Sequence, residues 1–157
     1  DAVSVATVGG RGNLCPQMYR AIVRATVVGG EMHVAVDATG DVVGTAAWFP
    51  PGSDLFSSEE QNAQGFTEFF ELIQKVDPDL HSWWFSTLLP EHAAICAKYL
   101  GTEEDPEGKN FKMNNWNLFS FSVVPELRRR GIGTRLLKIG EDKASLTHIS
   151  KCMESDS

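Results

Sequence analysis

Residues 115–143 read NWNLFSFSVVPELRRRGIGTRLLKIGEDK, and the reading of this stretch decides the fold. From Asn115 to Val124 nearly every residue is apolar, aromatic, β-branched or small. Alternation puts Phe119, Phe121 and Val123 on one face and Trp116, Leu118 and Ser120 on the other, so a strand covered on both faces is expected. Pro125 has no amide hydrogen and cannot continue a central strand. Beyond it Ile132, Leu136, Leu137, Ile139, Gly140 and Ala144 recur at helical spacing, opposite Arg135, Lys138, Glu141 and Asp142. The spacing predicts a helix that begins between Arg130 and Gly133.

A helix start leaves several amides without internal partners and adds a partial positive charge there. Gly131 and Gly133 remove side chains that would block a ligand, and Arg128, Arg129 and Arg130 add formal charge. Such a turn is suited to a pyrophosphate. A P-loop is excluded, because no Gly-x-x-x-x-Gly-Lys run exists. A dinucleotide fingerprint fits poorly, because Leu136 stands where its third glycine belongs. A plain strand-to-helix connection with solvated arginines is the remaining alternative.

The run Arg128-Arg129-Arg130-Gly131-Ile132-Gly133 matches the Gln/Arg-x-x-Gly-x-Gly/Ala turn of the Gcn5-related N-acetyltransferases, and Val123-Val124-Pro125 before it matches that family's Val-x-Pro strand end. The chain resembles this family over most of its length. The run from Val42 to Gly52 is similar to the second hairpin strand and exit loop of a fungal-type branch. The resemblance implies an α/β fold with a mixed, mostly antiparallel central sheet flanked by helices. It implies acetyl transfer from acetyl-CoA, as co-substrate, to a primary amine on a small molecule or peptide, by direct attack in a ternary complex. Under it, the amides of Arg129, Arg130, Gly131, Ile132, Gly133 and Thr134 hold the pyrophosphate, with charge from the arginines, Arg128 included in the cofactor turn. The edge at Phe121, Ser122 and Val123 pairs with the pantetheine arm. The family's opening strand is not evident, and its closing helix and two strands are missing from the given sequence, so a fragment or trimmed version of the fold is expected.

No catalytic residue follows. The family's usual acid is a tyrosine in a later helix, and Tyr19 and Tyr99 lie in earlier segments. Glu91, His92 and Glu126 are the conspicuous bases, each read more simply as a solvated helix-end residue. Trp48, Trp83, Trp84 and Phe85 are read as core aromatics. Trp48 beside Pro50 and Pro51 is the best placed of them to border a site.

With 157 residues, 42% apolar and 22% charged, one domain is expected over 1–157. No apolar run has the length of a membrane span, and a net charge of −7 argues against a nucleic-acid surface. Cys15, Cys96 and Cys152 lack paired spacing and His33, His81, His92 and His148 are scattered, so no metal site is expected. Free thiols without a leader point to the cytoplasm. Oligomeric state is left open. A noncatalytic acyl-CoA-binding or interaction domain competes with the enzyme reading, and a nucleotide-dependent oxidoreductase is a further alternative.

In order along the chain, Asp1 to Gly12 is expected to be a weakly ordered lead-in. Leu14, Met18, Ala21, Ile22 and Ala25 mark a helix stopped by Gly29-Gly30. Glu31 to Asp37 and Val42 to Phe49 form an antiparallel hairpin. Residues 53–65 are a polar loop, and Phe66, Phe69, Phe70 and Ile73 one helix face. A helical region from His81 to Leu100, interrupted or restarted at Pro90, turns Ile95, Cys96, Tyr99 and Leu100 inward. An acidic loop covers Gly101 to Lys112, and Lys151 to Ser155 begin one more strand.

Overall fold

Two β-rich runs joined by Ala38-Thr39-Gly40-Asp41 can hardly avoid pairing, and in the computed structural model, which describes residues 2–146, they do. Strands β1 (Glu31–Val36) and β2 (Val42–Phe49) are antiparallel, with Glu31 opposite Trp48 and a bulge between Ala35 and Val36. The Asp37 carboxylate organises the turn. The Thr39 hydroxyl and the amides of Asp41 and Thr39 donate to it and hold its pKa below the usual carboxylate range. Strand β3 (Asn117–Val123) pairs antiparallel with the other side of β2, giving the order β1-β2-β3.

Helices cover both faces of β2. On one face lies α2 (Cys15–Gly29), whose buried Ala21 and Ala25 allow close packing. The α-helix that follows β3 takes the other face, with Leu136 packed on Ala46 and Trp48. Alternate β2 residues are therefore equally dry: Ala46, Ala47 and Phe49 are fully buried. A second cluster of Val8, Leu14, Phe69, Phe70, Ile73 and Leu80 joins α2 to α4 (Phe66–Val76) and α5 (Pro78–Trp83).

Five expectations need correction. β3 is not covered on both faces: Leu118, Phe119 and Phe121 are 38%, 45% and 41% exposed. Among the described residues β3 is the sheet's last strand, and apolar composition tells that a surface wants covering, not what covers it.

The first residues are not a loose lead-in. They form α1 (Ala2–Thr7), and Val8 just after it is fully buried. The Trp84 indole N–H donates to the Thr7 carbonyl at 2.8 Å.

Residues 53–65 contain α3 (Glu59–Asn62), capped by the Ser58 hydroxyl, which accepts from the Gln61 amide. Gln61 is buried, its Oε1 accepting from the Phe56 amide at 2.7 Å. A polar sequence hides such a core because the buried group is satisfied internally.

The helical region does restart at Pro90, as expected. One π turn, Trp84–Leu88, separates α5 from α6 (Leu89–Leu100), and Pro90 sits in the first turn of α6, where a missing N–H and the ring's bulk are accommodated by the wider turn. Ile95 and Tyr99 point outward, 57% and 71% exposed. The reason is that, beyond the helical run it continues, α6 meets chiefly α7 (Lys109–Asn114), which itself begins inside the expected acidic loop. The strand expected from Lys151 lies outside the described residues.

One ion pair ties sheet to helix. Glu31 on β1 accepts from Lys143, and its Oε2 lies 2.8 Å from His33 Nε2. Burial alone would raise the Glu31 pKa, but the Lys143 and His33 contacts outweigh it and hold the carboxyl below its ordinary value of 4.5. A depressed folded pKa contributes stability that is present above the unfolded pKa and lost as pH falls through the folded one. Glu31→Gln is therefore expected to cost about 1 kcal/mol near neutral pH, since both side chains are about a third exposed. The difference from wild type should vanish at pH values below the folded pKa of Glu31. Paired thermal melts across the acid range check this.

Candidate functional site

The site is assembled where β3 ends and α8 (Ile132–Leu146) begins. Pro125 stops the ladder and opens a 3-10 turn, Pro125–Leu127, closed by the Leu127 amide donating to the Val124 carbonyl at 3.0 Å. Arg128 is extended, while Arg129 and Gly131 adopt left-handed φ values of 60° and 78°. For a non-glycine residue such as Arg129 that conformation is uncommon, and it clusters at functional turns. The first helical turn closes with the Arg135 amide on the Gly131 carbonyl, 3.1 Å.

Between those bonds lie the amides of Arg129, Arg130, Gly131, Ile132, Gly133 and Thr134. None of the six donates to another described residue. A Cβ built on Gly131 would meet nothing within 4 Å, so the turn opens outward. A Cβ on Gly133 would lie 2.7 Å from Phe121 Cζ, so the Phe121 ring sits against the helix start. The arrangement is an open set of donors at a positive helix end, which binds anions.

Arg128, Arg129 and Arg130 are exposed. Arg128 is partly committed to the chain itself, its Nε donating to the Val123 carbonyl at 3.2 Å. Arg129 and Arg130 form no ion pair among the described residues. Arg130 also borders a cleft of about 450 Å³ between β1 and α8.

The strand edge divides its own residues. Val124 donates to Val43 at 3.0 Å, so in an antiparallel ladder with Ser122 opposite Thr45 the main chain of Ser122 faces β2. The amides of Phe121 and Val123 then face the free edge. The Ser122 hydroxyl is 2.9 Å from that of Thr45. Of the three edge residues expected from the sequence, Phe121 and Val123 present main-chain donors outward and Ser122 does not.

Gly44 was not singled out in the sequence. A Cβ there would lie 3.1 Å from Leu136 Cδ1 and 3.2 Å from Ile132 Cγ2, so this glycine sets how closely the start of α8 settles on β2. A glycine inside a strand is the signal that marks such an approach.

Of the suggested bases only Glu126 lies in the site segment, exposed on the 3-10 turn. Glu91 and His92 are on α6, which beyond its own helical run meets chiefly α7, and His92 lies beside Cys96 with ring nitrogens 3.9 Å from Sγ. Tyr19 reaches the Ser4 hydroxyl, and Tyr99 is on the surface with Lys98 over its ring. Trp48 is packed under α8 rather than facing a cleft. Among the described residues no three His, Cys, Asp or Glu side chains gather as a metal site. No described helix is long and apolar enough to cross a membrane.

The model of the acetyltransferase (GNAT) family matches residues 16–155, which takes in the whole sheet, the turn and α8. No curated protein and no solved structure matches the chain.

Proposed function

The chain belongs to the acetyltransferase (GNAT) family, and from that premise we propose that it transfers an acetyl group from acetyl-CoA to a primary amine by direct attack in a ternary complex. The family as a whole carries out acetyl transfer from acyl-CoA. The single observation that supports a working cofactor site here is the set of six amides from Arg129 to Thr134 without an acceptor among the described residues, opening outward at Gly131. They hold the pyrophosphate, and Arg129 and Arg130 add charge-assisted contacts. The outward amides of Phe121 and Val123 pair with the pantetheine arm as a peptide adds to a sheet edge. One of them polarises the thioester carbonyl.

Acetyl-CoA supplies the activated acetyl group. The amine lone pair attacks the carbonyl carbon, the C–N bond forms, the C–S bond breaks, and the amine's proton passes to solvent or to the departing thiolate. Juxtaposition of the two reactants by this turn and edge supplies much of the acceleration in such a step.

The test is calorimetric titration with acetyl-CoA and NAD, followed by CoA thiol release over a panel of primary amines. Saturable acetyl-CoA binding, no NAD binding and amine-dependent thiol release are expected. Acetyl-CoA binding with no release for any amine would leave the noncatalytic acyl-CoA-binding reading, and absence of binding would remove both.

A further inference from the structure

A second cleft lies between β1 and α8, on the opposite side of β2 from the β3 edge. Its volume, about 450 Å³, is within the range of small-molecule sites. The lining is mostly apolar, with Val34, Val36, Leu136 and Ile139, and it includes Arg135 and, from the cofactor turn, Arg130. Neither arginine has an ion pair among the described residues. The one carboxylate lining the cleft, Asp37, is occupied by the Thr39 hydroxyl and by the amides of Thr39 and Asp41. Val34 and Val36 are 53% and 58% exposed on β1, which is an outer strand of the sheet among the described residues, an apolar surface with no lysine or proline of the kind that protects sheet edges.

An arginine outside the cofactor turn and in no described ion pair, beside an apolar lining on a chain of net charge −7, selects a ligand that is anionic at one end and apolar at the other. We propose that this cleft binds a small amphipathic carboxylate of the medium-chain fatty-acid class, its chain on Val34, Val36 and Ile139 and its carboxylate on Arg135. Arg130 and Ile132 line this cleft and also belong to the six-amide turn, whereas Arg135 belongs to the cleft alone, so Arg135 is the residue that tells the two sites apart.

Calorimetric titration with decanoate, decanol and decylammonium tests it. Decanoate is expected to bind saturably, decanol about tenfold or more weakly, and decylammonium not at all. Arg135→Glu and Val36→Asp, both at exposed positions, are each expected to weaken decanoate about tenfold or more while leaving the melting temperature and the acetyl-CoA titration unchanged. Equal affinity for the three amphiphiles, or no saturable binding, overturns the proposal. So does displacement of decanoate by CoA with both affinities lost in Arg135→Glu, which would give the cleft to the cofactor.

Discussion

Gly140→Ala is expected to destabilise the protein by about 2 kcal/mol, although helix propensity alone would make the change stabilising by about 1 kcal/mol. Gly140 is buried in α8, and a Cβ there would lie 2.3 to 2.6 Å from Cε2, Cζ2 and Cδ2 of Trp48. Those atoms belong to a rigid indole whose residue is only 8% exposed. The ring cannot swing aside as the end of a lysine would, so the helix must lift from the sheet and lose part of the Leu136, Ala46 and Trp48 contacts. Urea unfolding of wild type, Gly140→Ala and the double variant Gly140→Ala/Trp48→Phe measures this, and the smaller ring should recover part of the loss. A stabilised Gly140→Ala would mean that α8 does not lie against Trp48.

Gly131→Glu is expected to weaken acetyl-CoA binding by at least about a hundredfold, with a stability cost of roughly 1 to 2 kcal/mol from the left-handed backbone. The glutamate would place a like charge among the donors that the proposal assigns to the pyrophosphate. Gly131→Ala provides the control, since it bears the same backbone cost while its Cβ meets nothing within 4 Å. Alanine should keep affinity within about tenfold of wild type. Calorimetry on all three proteins, with circular dichroism to confirm folding, separates charge from strain. Equal affinity in wild type and Gly131→Glu would detach the cofactor from this turn. Gly133 is a less clean probe, because a side chain there also displaces Phe121.

Much of the site was legible because it is written in local terms. Proline against a ladder, glycine at a left-handed φ and arginines before a helix all act within a few residues, and the strand, turn and helix form where those rules put them. What could not be read were consequences of distant packing. Ser122 and its neighbours look equivalent in sequence, yet the register with β2 sends one main chain inward and two outward. Ile95 and Tyr99 have the spacing of a buried face and stand in water, because a helix face is buried only if another element reaches it. Gln61 reads as loop and is core, because its partners, Phe56 and Ser57, are placed around it by the turn they share.

The order of chain determined by itself the hairpin, the proline stop, the left-handed glycine and the amphipathic helix, since each rests on backbone sterics and short-range periodicity. Only the tertiary structure decided which amides stay unbonded, which face of β3 is open, and that a second cleft with Arg135 at it exists beside β1. Those properties depend on how far one element lies from another, and side-chain volumes brought together from remote positions, such as Gly44 beneath Leu136 and Gly140 against Trp48, are what set that distance.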